Sequence, residues 1–235
     1  MKTIRLHLIL ACLLAFSSIP AFSQRFEPTE NWPFLHRDFS EGNIRFTDGS
    51  FVTYDHLNVS VINGSLLFVD EKTGQIMVAE SPGILAAKVG PDTYLNVRGW
   101  MMKVVAESDS STVLLKTEVD LDEYGKTDIG YGIASSSATS RKVTASSLEG
   151  LASTAVSMHA TLRSQLQEGG KALPLEESCY LRIGSKFVCA NKKDVLDFAG
   201  IGRTETGAFI KSRKIKWKKP QSLLELADFL ATRIK

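Results

Sequence analysis

The chain has 235 residues, of which 43% are hydrophobic and 23% are charged, which is the composition of an ordinary globular protein. Its formal net charge of +2 indicates neither a polyanion nor a polycation as partner. The length suits one large domain or two small ones, and such a chain can bury a core without disulfides or metals.

Residues 1–23 predict a cleavable secretory signal. The pattern is a positive start, a short apolar run and small residues three and one positions before the cut, supplied by Lys2 and Arg5, by residues 6–16, and by Ala21 and Ser23. We therefore expect cleavage between Ser23 and Gln24 and a periplasmic or secreted protein. The apolar run is shorter than the roughly 20 residues of a spanning helix, and we expect no transmembrane span elsewhere.

An alternative for this leader is a lipid anchor at Cys12. Residues 9–12 loosely resemble a bacterial lipoprotein box. The apolar run continues beyond Cys12, however, whereas a lipid-modified cysteine normally ends it. We therefore prefer cleavage near Gln24 to lipidation.

The charges are distributed unevenly along the exported part. Without residues 1–23 the chain has 26 basic and 26 acidic residues, but residues 24–150 have a net charge of −7 and residues 151–235 a net charge of +7. This asymmetry indicates two units with different surfaces or one unit with opposed faces. Either the two halves partly neutralise each other by docking, or one of them meets an external partner.

Residues 24–130 are predicted to form an antiparallel β domain. Its first residues, 24–40, are irregular, and we expect their aromatic residues to cover a sheet edge or the rim of the core; these are Trp32, Phe34 and Phe39. Strand-like runs then alternate with turn residues, which are Asp48-Gly49, Gly74, Gly90-Pro91-Asp92 and Asp109-Ser110. Such spacing, with no helical pattern between the runs, favours an antiparallel meander or rolled sheet over a βαβ fold.

The first of these turns also predicts a register. A two-residue type I′ turn at Asp48-Gly49 would make Phe46 and Phe51 cross-strand neighbours.

Residues 131–172 predict a Ser/Gly-rich loop or linker, because so few apolar residues cannot order the segment by burial. Residues 173–235 predict a hairpin and a small C-terminal helical region, so the fold class is α+β. We expect helices from a cap at Asn191, over 204–211 despite Gly207, and from Pro220. The last helix is predicted to bury Leu223, Leu224, Ala227, Leu230, Ala231 and Ile234.

Cys179 and Cys189 stand at the two ends of the predicted hairpin, and export would place them where a disulfide persists. A three-residue or bulged loop at Gly184-Ser185 would make the two cysteines face each other and allow the bond. A two-residue turn would instead pair Cys179 with Ala190 and offset the thiols.

Three stretches together resemble an uncharacterised family of exported proteins from Bacteroidota-type bacteria. They are IRFTDGSFV with LNVSVINGSLLFVDEKTGQI, the run YGIASSSATS, and YLRIGSKFVCANKKDVL with FIKSRKIKWKKPQSLLELADFL. The resemblance implies a β-rich N-terminal half and a small helical C-terminal region. It implies no activity and supplies no catalytic residues.

The sequence contains no motif of known chemistry. His36, His56 and His159 stand apart without metal-binding spacing, and the serines from Ser135 to Ser157 lack a nucleophile elbow. The acidic run with Asp120, Asp122 and Glu123 lacks the spacing of a calcium loop. We predict no catalytic residue, no metal site and no cofactor.

The most distinctive local feature is the basic segment, Lys211–Lys219. Anion contact through its charged residues and its tryptophan is one interpretation, and the residues are Lys211, Arg213, Lys214, Lys216, Trp217, Lys218 and Lys219. The alternative, which we prefer, is a strand or turn that buries Ile215 and Trp217 and leaves the lysines in water. Export argues against nucleic acid as partner, whereas peripheral membrane contact stays open.

Two functions are compatible with these observations. The first is a non-catalytic binding or accessory module of the cell envelope, whose partner is an envelope protein or polymer. The second is a hydrolase of an envelope or extracellular polymer, whose carboxylates are dispersed in the sequence but converge in the fold.

Overall fold

The computed structural model describes residues 26–27, 31, 33–79, 83–120, 171–172 and 174–233. The predicted signal, Cys12 and most of the predicted Ser/Gly-rich loop lie outside them. The strands are β1 (Phe26–Glu27), β2 (Ser40–Phe46), β3 (Phe51–Val59), β4 (Leu66–Val69), β5 (Ile76–Val78), β6 (Ile84–Val89), β7 (Asp92–Val97), β8 (Trp100–Glu107), β9 (Ser111–Val119), β10 (Lys171–Ala172), β11 (Leu175–Ile183) and β12 (Lys186–Cys189). The helices are α1 (Lys192–Ala199), α2 (Arg203–Arg213) and α3 (Pro220–Ala231).

Ten of these strands form one antiparallel sheet in the order β12-β11-β9-β8-β7-β6-β2-β3-β4-β5. The sheet contains two meanders, β2 to β5 and β6 to β9. They are joined because β6 pairs with the edge of β2 that β3 does not occupy. The short strands β1 and β10 pair separately and in parallel. The α+β prediction with a β-rich meander is confirmed.

The sheet is curled. The backbone N–H of Met101, at the start of β8, donates to the carbonyl of Gly64, in the connection between β3 and β4, at 2.9 Å. Gly64 has a φ of +67°, and a Cβ at this position would meet the ring of Trp100. A glycine is therefore required where the two ends of the curled region meet.

The hairpins form at the predicted turn residues, but the register at Asp48-Gly49 differs from the prediction. The N–H of Phe46 donates to the carbonyl of Ser50, and Phe51 lies opposite Arg45 rather than Phe46. Only Gly49 of this loop has a positive φ, +88°. The connection is thus a three-residue loop with a left-handed glycine, which is the second common hairpin solution.

One face of the sheet carries two core clusters. The first, with Ile44, Leu57 and Tyr94 fully buried, is covered by the N-terminal segment 33–39. Phe34 of this segment is buried and meets Phe39 edge to face, and Phe34 also forms a β-bridge with Ser60. The expectation that these aromatic residues cover the core is met for Phe34 and Phe39, and Trp32 lies outside the described residues.

The second cluster lies beneath the helices. Val113 of β9 and Leu181 of β11 are fully buried there against Val195 of α1 and against α3. Asn191 caps α1 as predicted, since its side chain accepts from the N–H of Asp194 at 2.9 Å, and Pro220 occupies the first turn of α3.

The buried stripe of α3 differs from the prediction. It consists of Leu223, Leu226, Ala227 and Leu230, whereas Leu224 and Ala231 are only half-buried. These four positions follow the i, i+3, i+4, i+7 pattern of a helix face. The predicted stripe did not include Leu226. Ile234 lies outside the described residues. Within those residues, no helix has the length and apolar character needed to cross a membrane.

The turn between β8 and β9 fastens α3 to the sheet. The carboxylate of Asp228 accepts from the hydroxyls of Ser108, at 2.5 Å, and Ser110, at 3.0 Å. The neighbouring Ser111 is buried, and its hydroxyl has no hydrogen-bond partner among the described residues. A buried hydroxyl without a partner lowers stability, because it has given up its bonds with water.

We expect the substitution Ser111→Ala to raise the free energy of unfolding by up to about 1 kcal/mol, because it removes that hydroxyl. The measurement is the urea unfolding midpoint at unchanged slope. Ser110→Ala is the matched control and should lower stability by about 0.5–1 kcal/mol, since it breaks the bond with Asp228. A clear loss of stability in Ser111→Ala would contradict this account.

Candidate functional site

An open groove lies where β9 and β11 meet the connection between α2 and α3. Its volume is about 630 Å³. The residues that line it, together the Trp217 groove, are Leu115, Asp120, Leu175, Glu176, Glu177, Cys179, Trp217 and Lys218. They come from three separated parts of the chain.

The pairing of β9 with β11 builds the floor of the Trp217 groove. Glu177 lies opposite Thr117 and Cys179 opposite Leu115, and alternate residues of a strand share a face. Glu177 and Cys179 therefore share the helix-covered face with Leu181. The groove begins where the helices no longer cover this face.

The connection between α2 and α3 supplies the opposite wall. Lys214 ends α2 in the left-handed region, with a φ of +50°, and the N–H of Ile215 bonds back to the carbonyl of Ile210 at 3.1 Å. The N–H of Lys216 donates to the hydroxyl of Ser222 at 3.0 Å. Ile215 is buried in the core, so that the half-buried Trp217 is held over the groove.

The groove combines charges of both signs. Asp120 and Glu177 supply carboxylates, and Lys218 supplies an ammonium group. Glu176 also lines the groove, but its side chain alternates to the opposite face of β11, with Glu118. Glu176, Glu177 and Lys218 are exposed, whereas Asp120 is half-buried and is tied to the start of β11 by its N–H bond to Pro174. These groups can donate and accept hydrogen bonds along an extended ligand.

Cys179 is not equipped as a nucleophile. Burial, followed by the negative charge of Glu177, raises the pKa of its thiol. A thiol with a raised pKa is mostly protonated, and the thiolate is the reactive form. The thiol of Cys179 is therefore a weak nucleophile in this groove.

Cys179 and Cys189 are free thiols in the structure, which agrees with the second of the two alternatives left open by the sequence. The turn at Gly184-Ser185 has two residues, so Cys189 pairs with Tyr180, and Ala190 donates to the carbonyl of Cys179. Adjacent register positions point to opposite faces of the sheet. The two thiols thus lie on different faces, which is the offset arrangement considered from the sequence.

The basic segment is the end of α2 followed by a turn. Its side chains are exposed at Lys211, Arg213, Lys214, Lys216, Lys218 and Lys219. Ile215 is buried and Trp217 is half-buried, as the packing interpretation expects. Trp217 and Lys218 line the groove beside carboxylates, so the predicted anion-contact residues do not form one continuous cationic site.

A second cluster of titratable groups joins segment 33–39 to β7 and β8. The Nε2 of His36 lies 2.6 Å from the hydroxyl of Tyr94 and 4.0 Å from the carboxylate of Asp92, which accepts from Lys103 at 2.7 Å. The fully buried Asn58 holds His36 by two bonds, one to its N–H at 3.1 Å and one to its carbonyl at 2.9 Å.

The electrostatics of this cluster favour a neutral imidazole. Burial lowers the pKa of His36; the charge of Asp92 opposes this shift, and the charge of Lys103 adds to it. Burial, and then the charge of Asp92, raises the pKa of Tyr94. The Tyr94 hydroxyl is therefore protonated and can donate to Nε2. We interpret the cluster as a clamp for segment 33–39, because Tyr94 is fully buried and Lys103 is occupied by Asp92.

A second cavity, of about 370 Å³, lies between β4, β5 and the turn before β8. The described residues that line it are apolar, apart from Gly99 and the polar Asn63, Ser65 and Asn96, and none of these described residues is ionisable. Two of its polar residues serve local turns, since Asn63 accepts from the N–H of Ser65 and Asn96 from the N–H of Gly99.

Sequence interpretation did not find either polar site. It noted only that His36 stands apart without metal-binding spacing, and it considered Asp120 only as part of an acidic run with Asp122 and Glu123. Those two residues, Ser135–Ser157 and His159 lie outside the described residues. His56 is exposed on β3. The available signal for the groove was the presence of acidic residues at the end of β9 and the start of β11.

No group of three or more histidine, cysteine, aspartate or glutamate side chains in the described parts of the chain could hold a metal ion. Comparisons with protein-family models, curated proteins and solved structures found no match to this chain.

The His36 clamp predicts a pH dependence of stability. Because its pKa is lower in the folded state, the unfolded chain takes up the proton first as the pH falls through about 6.5. The stability that the neutral His36 contributes is fully present above that pH. It decreases at lower pH, until His36 is protonated in the folded state as well. We expect the free energy of unfolding of the wild type to fall more steeply between about pH 7 and pH 5 than that of His36→Gln.

Urea unfolding at several pH values measures this difference. His56→Gln is the matched control and should keep the wild-type dependence, because His56 is exposed and outside the clamp. Parallel curves for the wild type and His36→Gln would disprove the role of His36.

Proposed function

We propose that this chain is an exported, non-catalytic binding module of the cell envelope that holds a hydroxyl-rich polymer strand in the Trp217 groove. The observation that carries the proposal is the combination of a fixed tryptophan with carboxylates and an ammonium group in one open groove. The predicted signal at residues 1–23 and the resemblance to exported proteins support the envelope as the place of action.

The mixed charges select the class of ligand. An anionic polymer would meet Asp120 and Glu177, and a cationic polymer would meet Lys218. A neutral polyhydroxy strand avoids both conflicts, because carboxylates accept from its hydroxyls and the ammonium group donates to them. We therefore favour a neutral glycan over a charged polymer or a protein.

Trp217 supplies the apolar contact of this proposed site. A sugar ring has an apolar face of C–H groups, and an indole ring offers a large rigid surface at a small cost in conformational entropy. The burial of Ile215 and the bond between Lys216 and Ser222 fix the connection before a ligand arrives. Such preorganisation favours binding, since less freedom is lost in the complex.

A hydrolase acting on the same class of polymer is the second candidate. The carboxylates of Asp120 and Glu177 in one groove favour it, because glycoside hydrolysis requires a pair of them. The exposure of Glu177 argues against it, since a general acid is normally shielded from water. We therefore place binding first.

The proposal predicts that Trp217→Ala weakens binding to neutral oligosaccharides by at least about tenfold, or ~1.4 kcal/mol, because a central aromatic contact is lost. An array of neutral and acidic oligosaccharides identifies the best neutral probe, and isothermal titration calorimetry measures its affinity. Phe51→Ala is the matched control, since Phe51 is exposed on the distant β2–β3 hairpin.

Trp217 also contacts the core, so the exposed Glu177→Gln provides a second variant that keeps the fold. It should weaken binding less than Trp217→Ala does. Size analysis of the polymer after incubation separates the two candidates: an unchanged chain length supports the module, and shortening that Glu177→Gln or Asp120→Asn abolishes supports the hydrolase. Failure of every neutral oligosaccharide to bind would refute the proposed ligand class.

A further inference from the structure

The part of the basic segment outside the Trp217 groove is a cationic surface, formed by Lys211, Arg213, Lys214, Lys216 and Lys219. All five side chains are exposed, and none lines the groove. The ion pairs between described residues involve none of them. Their charges are therefore not neutralised by the described part of the fold.

Two of the five have a structural role. Lys211 and Arg213 stand in the last turn of α2, where cations are favoured by the negative end of the helix dipole, and Arg213 also lies over the ring of Phe209. Lys214, Lys216 and Lys219 are different. Their ammonium groups make no ion pair or hydrogen bond with a described residue, so the fold gives no reason for three cations within six positions.

The neighbouring groove limits what this surface can bind. A polyanionic strand laid along the basic segment would approach the carboxylates of Asp120 and Glu177, which line the groove beside Lys218. A bilayer presents its charge as a plane, so it can contact the exposed lysines without entering the groove. Residues 24–150, with their net charge of −7, would be repelled by the same plane and would favour an orientation with the basic segment towards it.

We propose that the cationic surface docks this protein on anionic lipid headgroups. The contact is peripheral and electrostatic: lysine ammonium groups meet lipid phosphates, while Trp217 stays in the groove. Each lysine near an anionic membrane surface contributes on the order of 1 kcal/mol, so Lys214, Lys216 and Lys219 together account for on the order of 100-fold in affinity at low salt.

Vesicle co-sedimentation of the purified chain tests the proposal. The probes are vesicles of phosphatidylcholine in which about one lipid in three is the anionic phosphatidylglycerol, and vesicles of pure phosphatidylcholine. We expect binding to the anionic vesicles alone, a loss on the order of 100-fold in the triple variant Lys214→Asn, Lys216→Gln and Lys219→Gln, and a steep decrease with salt. Asparagine is chosen at position 214 because it tolerates a positive φ.

The matched control neutralises three exposed cations on the β half, Arg45, Lys72 and Lys88, each by glutamine. It changes the net charge by the same amount and should leave vesicle binding unchanged. An equal loss in both triple variants, or equal binding to pure phosphatidylcholine, would overturn the proposal.

A soluble polyanion separates the lipid from the alternative partner. Heparin that binds more tightly than the anionic vesicles, and loses this binding in the same triple variant, would assign the surface to an anionic polymer instead. Glu177→Gln should leave vesicle binding unchanged, and the triple variant should still bind the neutral oligosaccharide. The proposal of lipid docking and the proposal of glycan binding can therefore be refuted independently.

Discussion

The antiparallel pairing of β9 with β11 is the constraint on which the rest of the structure depends. It runs without interruption from Leu175 opposite Val119 to Ile183 opposite Ser111 and joins the C-terminal hairpin and helices to the sheet. The inward residues of both strands form the floor of the helix-covered core, and the same alternation places Glu177 and Cys179 in the Trp217 groove. The register between β9 and β11 thus determines both the helix-covered core and the lining of the groove.

This arrangement also explains how opposite charges meet without cancelling. The acidic half contributes Asp120 from the end of β9, and the basic half contributes Lys218 from the connection before α3. The two halves meet in the groove, while the remaining lysines of the basic segment are exposed and do not line it.

Local features of the fold were predictable from the sequence, because each depends on a few neighbouring residues. The cap at Asn191, the start of α3 at Pro220 and the hairpins with Gly74 and Asp109-Ser110 follow from the conformations that these residues favour. The return of β6 to the side of β2 was not predictable, since no local signal states which strands of different hairpins pair. The turn between β7 and β8 was missed because Arg98 adopts a φ of +55°, which is uncommon for a residue with a side chain.

The candidate sites depend on such long-range pairing and were missed for the same reason. Asp120, Glu177 and Trp217 come together only after β9 and β11 have paired and α2 has ended at Lys214. His36 looked isolated because its partners Tyr94 and Asp92 belong to a strand far along the chain. Asp92 and Tyr94 share a face of β7 at a spacing of two, which is also the spacing of any half-buried strand. In α3, Leu226 was left out of the predicted buried stripe. The helix has several leucines, and only packing against the sheet decides which of them are buried.

The two-residue turn at Gly184-Ser185 has a consequence for the chemistry of the two cysteines. Aligning Cys189 with Cys179 would require β12 to slip by one position, and that slip would turn Val188 and Ala190 out of the core and Phe187 into it. The core therefore opposes an internal disulfide even in an oxidising compartment. The described part of the chain instead presents two thiols on opposite faces of the sheet. A fluorophore or spin label on Cys179 therefore reports on surroundings that a label on Cys189 does not share.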